Sequence, residues 1–305
     1  MSSEAGFDQL VLNFDRSGLT VLNLILAIVV FGIALGIKPD DFRRVAKVRR
    51  AFLLGIAAQF FLLPALTFLL IQVLRPAPSI ALGMMLVAAC PGGNISNFMT
   101  SFSRGNTALS VSMSAVSTLA AIIMTPLNLA FWGALDKGTA PILRTVSLDP
   151  LAIMGVVGLI LGLPLILGML TAHYFPGFAA RAKAGFRWFS MAVFLLFVLG
   201  ALLANLENFR LYIGLVASLV LVHNAVAFLS GFALARLGRL NAADTRAVTI
   251  EVGIQNSGLA LVLIFDFFDA LGGMALIAAW WGIWHIVSGT AIASWFRYRQ
   301  PEIAQ

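Results

Sequence analysis

Glu251-Val252-Gly253-Ile254-Gln255-Asn256-Ser257-Gly258 sets a carboxylate, two amides and two glycines inside sequence that is otherwise apolar. A charge at the depth of a membrane span is expensive and rare, and by default it marks an ion or substrate path. Gly253 and Gly258 permit a distorted backbone there. That frees the carbonyls of Val252 and Ile254 to serve as ligands. Earlier, Pro91-Gly92-Gly93-Asn94-Ile95-Ser96-Asn97 makes a second polar, glycine-rich break in an apolar span. Two interrupted helices in one chain are the pattern of secondary transporters, whose discontinuous helices meet near the midplane.

Composition fixes the class around these breaks. Of 305 residues, 60% are hydrophobic and 11% charged, with a mean hydropathy of +0.97. A soluble domain carries roughly 25% charged residues. Apolar runs of about 20 residues, enough to cross a hydrocarbon core of about 30 Å, recur from end to end. The net charge of +7 raises the question of nucleic acid. Its basic residues lie in short loops beside apolar spans, and no basic-aromatic face accompanies them, so no nucleic-acid partner is expected. Cys90 is the only cysteine, which excludes an intrachain disulfide and thiolate clusters. Glu4, Asp8 and Asp15 precede the first span, unlike the basic start of a cleaved signal peptide. No nucleophilic triad or phosphate-binding loop stands out, so the chain does not read as an enzyme.

The expected fold is an all-α polytopic membrane protein of nine transmembrane helices, at about 18–37, 51–73, 79–102, 106–133, 150–171, 188–206, 211–235, 245–268 and 271–295. The broken helices are the third and eighth, five crossings apart. An odd offset reverses direction, so the chain divides into inverted repeats. These are 18–133 (helices one to four) and 188–295 (helices six to nine), with 150–171 as an unpaired fifth helix. Residues 1–17 form an extracytoplasmic segment and 296–305 a cytoplasmic tail. Gln59 in helix two has a polar counterpart in His223-Asn224 of helix seven. Fifteen of the 20 basic residues fall on one side, among them Lys38, Arg43, Arg104, Arg246, Arg297 and Arg299. The positive-inside rule makes that side cytoplasmic, with the N-terminus outside.

The polar residues of the spans form one set of candidate ligands. Pro91 lacks an amide hydrogen and Gly92-Gly93 relaxes the backbone, exposing polar groups that must face protein, water or a ligand. A plain kink is the bland reading, but it does not need Asn94, Ser96 and Asn97 beside it. Ser110 and Ser114, four residues apart, share a helical face that meets Ser96 and Asn97 across the Phe102–Gly105 turn. Ser112 and Ser117 lie on other faces and can bond back to their own helix. Thr125-Pro126 reads as a further irregularity. Glu251 with these neutral oxygens suits a hard alkali cation such as sodium; its bland reading is a hydrogen-bonded structural acid. Gln255 lies one turn beyond Glu251, and Gln59 can reach a second cation sharing the carboxylate. No Arg or Lys sits at mid-membrane to meet an anion, which leaves helix-end amides with Asn94 or Asn256. Trp280-Trp281 reads as an interfacial pair, and His285 as a packing or pocket residue.

With these motifs assembled, the chain resembles the bile acid:sodium symporter family, in its prokaryotic branch, from about Leu19 to Arg299. The stretches that carry the resemblance are Gly32-Ile33-Ala34-Leu35-Gly36-Ile37-Lys38-Pro39, Cys90-Pro91-Gly92-Gly93, Ser96-Asn97, Arg104-Gly105-Asn106, Ala108-Leu109-Ser110, the run from Glu251 to Gly258, and Trp284-His285 with Ser288-Gly289. The resemblance implies a panel domain and a core domain in which the broken helices cross. It implies one sodium site at Ser96, Asn97, Ser110, Ser114 and Glu251. A second would use Gln59, Glu251, Gln255 and the backbone oxygens of Val252 and Ile254. Substrate contacts would fall at Asn94, Asn256 and His285. Two positions depart from the family pattern: Ser114 stands where Thr is familiar, and Ile286 where Asn often follows the histidine. The second departure removes a polar contact and bears on bile-acid recognition.

The expectation is sodium-coupled symport of an organic anion, a bile-acid-like compound or a small carboxylate, by alternating access. Two sodium ions act as coupling ions and no resident cofactor is expected. Membrane lipid surrounds the chain, which is expected to be a monomer in a bacterial plasma membrane, as the resemblance to the prokaryotic branch implies. The alternatives are a proton-coupled carrier or metalloid exporter, in which Glu251 or Cys90 is central, and a non-transporting membrane receptor.

Overall fold

The computed structural model describes residues 16–37, 48–93, 95–146, 149–182, 206–299 and isolated positions from 185 to 200. Asn94, most of the first basic loop, most of the 188–206 span and the chain ends therefore lie outside the described residues. What is described is helical, and the only β-type pairing among these residues is one isolated bridge, Gly92 to Gln255.

In chain order the helices are α1 (Arg16–Ala34), α2 (Arg49–Leu74), α3 (Pro78–Ala89), α4 (Ser96–Phe102), α5 (Thr107–Leu135), α6 (Thr139–Thr145), α7 (Pro150–Tyr174), α8 (Leu206–Leu237), α9 (Ala242–Gly253), α10 (Ser257–Phe267) and α11 (Gly272–Tyr298). Five are long and apolar enough to cross a membrane: α2, α5, α7, α11 and the Arg210–Leu237 part of α8. Their outer faces bear large apolar side chains. In α5 the stripe Leu119, Ile123, Leu127, Phe131 and Leu135 recurs every four residues and is exposed. A continuous apolar face of this kind is stable against lipid and would be a liability in water.

Three of the shorter helices, α3, α9 and α10, sit inside. Every residue of α3 from Ser79 to Ala89 is buried, as is every residue of α9 from Asp244 onward. In α10 the buried run is Ser257–Ile264. A helix covered on all sides has no face to reserve for lipid, which explains why α3 and α10 are apolar all round. Helix α11 packs on α3 and α10, while α8 packs on α9 and α11. Helix α1 lies along α7.

Local chemistry sets the boundaries. Pro78 and Pro150 start α3 and α7, where a missing amide hydrogen costs nothing. Asn106, Asn241 and Asn256 cap α5, α9 and α10, each accepting from a backbone N–H three residues on. Pro64 and Pro164 lie inside helices. Each is preceded by one wide π turn, Ala58–Leu62 and Gly158–Gly162, which relieves the clash between the proline ring and the carbonyl four residues back. The first of these turns carries Gln59.

Two expectations are corrected. Thr125-Pro126 does not interrupt its helix: α5 runs through Pro126, and the Thr125 hydroxyl instead donates to the Ala89 carbonyl at 2.8 Å. Trp280-Trp281 is not an interfacial pair, because Trp281 is fully buried with its ring edge-on to His223 at 4.7 Å. The helical period separates adjacent residues by about 100°, so one tryptophan of a pair can face the core. The short helix α6 has no counterpart among the expected spans.

Candidate functional site

Helices α3 and α9 both end in extended backbone, at Cys90 and Ile254. The two extended pieces cross and pair. Gly93 N donates to Ile254 O at 2.6 Å, and Asn256 N donates to Pro91 O at 2.9 Å. Groups that the breaks release from their helices thus find partners in each other, as backbone inside a membrane must. No described glycine has a positive φ. Gly92 and Gly93 are needed for close approach instead. A Cβ on Gly92 would stand 2.5 Å from Glu251 Oε1, and one on Gly93 would stand 2.9 Å from Gln255 O.

Glu251, in the last turn of α9 and 1% exposed, projects to this crossing. Its Oε2 accepts from Ser96 Oγ at 2.7 Å and Ser110 Oγ at 2.9 Å, and its Oε1 accepts from Ser114 Oγ at 2.6 Å. Asn97 Oδ1 lies 2.8 Å from Ser110 Oγ and 3.3 Å from Ser114 Oγ. The structure therefore brings together Ser96, Asn97, Ser110, Ser114 and Glu251 from α4, α5 and α9. Ser112 and Ser117 turn back to Ala108 O and Ser114 O. The partners of the carboxylate among the described residues are neutral hydroxyls. A buried carboxylate with no cationic partner is a poor structural device and a good cation ligand, since an ion pair is what offsets its desolvation.

Beside it, Gln59 and Gln255 form a reciprocal amide pair. Gln59 Nε2 donates to Gln255 Oε1 at 2.8 Å, and Gln255 Nε2 donates to Gln59 Oε1 at 3.2 Å. Gln255 Nε2 also reaches Val252 O at 2.7 Å, and Gln59 Nε2 reaches Cys90 O at 2.8 Å. Gln59, Gln255 and Val252 are thus together. Glu251 is not hydrogen-bonded to them, and the Ile254 carbonyl is engaged by Gly93 N. The Cys90 carbonyl escapes a reading of the sequence, because a backbone oxygen leaves no trace in residue type.

The three expected substrate contacts are less tightly gathered. Asn256 uses Oδ1 to cap α10 through Leu259 N at 3.0 Å. His285 of α11 is 6% exposed, and its Nδ1 has no hydrogen-bond partner. Asn94 lies outside the described residues. One turn along α11 from His285, Ser288 Oγ donates to Asn224 Oδ1 at 2.6 Å, and Asn224 Nδ2 donates to Gly253 O at 2.8 Å. Its neighbour His223 meets Thr67 Oγ1 at 2.8 Å through Nε2. Thr67 escapes the sequence as well; a lone hydroxyl in an apolar helix gives little signal.

Comparisons with known proteins point one way. The model of the sodium bile acid symporter family matches residues 23–234, a segment that includes the first break. The chain is 31% identical over 275 residues to the uncharacterized sodium-dependent transporter YocS of Bacillus subtilis (strain 168), covering 90% of this chain and 82% of that one. It is 31% identical over 271 residues to the probable sodium/metabolite cotransporter BASS2, chloroplastic, of Oryza sativa subsp. japonica. That match covers 84% of this chain but 62% of the rice protein, less than two thirds of its length. Identity to the ileal sodium/bile acid cotransporter of Homo sapiens is 28% over 249 residues, 80% of this chain and 69% of the human one.

Proposed function

The chain belongs to the sodium bile acid symporter family, and on that premise we propose that it couples sodium entry to uptake of a small organic anion by alternating access. The observation that carries this reading is the Glu251 carboxylate, buried among hydroxyls of Ser96, Ser110 and Ser114 at the crossing of two broken helices. One sodium ion takes the oxygens of Ser96, Asn97, Ser110, Ser114 and Glu251. A second takes Gln59, Gln255 and the Val252 carbonyl, with Glu251 and the Ile254 carbonyl close by in sequence. Each ion as cargo offsets the charge of Glu251 and fixes the break. The anion then binds at the completed crossing, where Asn94, Asn256 and His285 supply polar contacts.

The architecture proposed with it is nine spans, with inverted repeats 18–133 and 188–295 and an unpaired helix at 150–171. What supports the repeat is a matched pair of contacts. Gln59 of α2 donates to the carbonyl just after α3, and Asn224 of α8 donates to the last carbonyl of α9. The α1–α7 pair supports a panel that slides against the core built on α3, α4, α9 and α10. The membrane is a bacterial plasma membrane, with the N-terminus outside and the basic loops inside. The substrate class is an organic carboxylate or a bile-acid-like anion; Ile286 in place of a polar residue favours the smaller carboxylates. The metalloid reading loses ground because Cys90 is fully buried.

The test is thermal stability of the purified protein across a sodium titration, with potassium as the ionic-strength control. Ligands of the native state raise stability by mass action. Sodium-specific stabilisation together with sodium-dependent uptake of a labelled carboxylate into vesicles is the expected result. Equal responses to sodium and potassium, with uptake driven by a pH gradient instead, would overturn sodium coupling in favour of protons.

A further inference from the structure

We propose that Arg104, Arg246, Arg297 and Arg299 form a binding site for the phosphate headgroup of an anionic phospholipid, where α4 turns into α5, α9 begins and α11 ends. The site does not rest on the transport reading. It rests on a cluster of guanidinium groups whose hydrogen-bond and ring partners among the described residues are neutral. Arg246, 6% exposed, donates from Nη1 to Ser103 O at 2.8 Å and from Nη2 to Arg299 O at 2.9 Å. Arg297 donates from Nη1 to Phe102 O at 3.2 Å and lies 4.7 Å over the Phe102 ring. Arg299 lies 4.6 Å over Trp295. Arg104, exposed on the turn, follows Ser103, whose carbonyl Arg246 holds, and precedes Gly105, where a Cβ would stand 3.2 Å from Arg246 Cβ.

Carbonyls and ring faces orient these groups without cancelling their charge. Helix α9 carries two acids: Glu251 is held by the serines at the break, and Asp244 is committed elsewhere, its Oδ1 accepting from Asn106 Nδ2 at 2.6 Å and its Oδ2 from Asn241 Nδ2 at 2.8 Å. Among the described residues none of the four arginines contacts a carboxylate in these interactions. Like charges held together by neutral groups favour an anion with several oxygens, and the guanidinium fork matches phosphate in geometry. The flanking surface identifies the source. Trp295, Tyr298 and Phe98 are exposed at this same end, and aromatic side chains of that kind settle at headgroup level. Basic pockets between helices at the membrane edge hold lipid phosphates in the same way. A lipid seated here touches the α4–α5 turn, the start of α9 and the end of α11, and so pins both halves of the crossing.

The experiment uses the full chain in a neutral detergent. It is titrated with phosphatidylglycerol, phosphatidylcholine or potassium phosphate while melting temperature is monitored, and native mass spectrometry counts retained lipid. Phosphatidylglycerol should raise the melting temperature and stay bound, whereas the other two should do neither at equal concentration. In R297Q/R299Q the phosphatidylglycerol needed for half the shift should rise at least tenfold, while cooperative melting in detergent alone is kept. Should that variant fold poorly, Arg299→Gln alone, at an exposed position, should still raise it about threefold. An equal shift with phosphatidylcholine, or an unchanged response in a folded variant, would overturn the site. Full stabilisation by potassium phosphate alone would overturn the lipid as its occupant.

Discussion

The two breaks do the same backbone work with different chemistry. At the first, Pro91 and two glycines open the chain between α3 and α4, and the polar side chains on its far side, Ser96 and Asn97, are neutral. At the second, α9 remains helical through Gly253, opens for two residues, and is closed by Asn256 as the cap of α10. The carboxylate stands just before this second break, and the hydroxyls that meet it come from α4, at the first break, and from α5 beside it. Neither break is a site by itself. The charge is held on one half of the chain and its donors on the other, so whatever binds Glu251 also fastens the two halves together. A break that only kinked a helix would need no such division.

Removing the charge should have the largest effect. Glu251→Gln keeps the shape and leaves the serine hydroxyls facing an amide. Loss of a buried charge partner costs about 3–5 kcal/mol, more than a hundredfold in affinity. Sodium-dependent stabilisation and uptake should both vanish, with the protein still extractable and folded. Sodium dependence retained in E251Q would show that the first break alone holds the cation. Gly92→Ala comes next. Its Cβ would fall 2.5 Å from Glu251 Oε1, forcing the carboxylate off the serines at a typical overpacking cost of about 1–3 kcal/mol. Isothermal titration with sodium should show an affinity weakened by at least about fivefold. An unchanged affinity would mean that the carboxylate can move without loss, and the close approach of the two breaks would not matter.

What the sequence reveals obeys the same division. Side chains that break a rule are legible: Glu251 in an apolar run, Ser110 and Ser114 on one helical face, Gln59 amid the apolar middle of its helix. The breaks are legible because proline and glycine punctuate a helix locally. Contacts made by the backbone are not. The Cys90 and Gly253 carbonyls are fixed by where two distant segments cross, which residue type does not encode. Thr125 reads as a helix irregularity because Pro126 is next to it, yet the surrounding helices hold α5 together and its hydroxyl serves Ala89 O instead. Trp281 reads as interfacial from its neighbour, whereas its own face of the helix decides its place. Local chemistry sets the interruptions; tertiary packing decides what fills them.

The matched amides offer a finer separation. Asn224→Ala and Gln59→Ala each orphan a buried carbonyl, Gly253 O and Cys90 O, at about 1–3 kcal/mol, and both should lower the melting temperature by several degrees. Only Gln59→Ala should also weaken sodium binding beyond that loss, because Gln59 pairs with Gln255, which in turn donates to the Val252 carbonyl, while Asn224 accepts from Ser288. A sodium titration of the two variants at matched stability checks this. Equal sodium affinities would make Gln59 a structural partner like Asn224 and leave the crossing with one cation.

The smallest effect belongs to Ser114. Its hydroxyl is the donor to Glu251 Oε1, at 2.6 Å, and it also lies 3.3 Å from Asn97 Oδ1. Ser114→Thr keeps that oxygen and adds one methyl to a buried position, an insertion whose mildest cost is about 1 kcal/mol, so sodium affinity should fall by no more than about fivefold. Ser114→Ala deletes the oxygen, and a lost hydrogen bond to a charged group of about 1.5–3 kcal/mol corresponds to roughly tenfold or more. The ratio of the two variants isolates the oxygen from the packing around it. If threonine were as damaging as alanine, crowding rather than ligation would govern the position. The first break would then contribute shape to the carboxylate, and its donors would be only Ser96 and Ser110.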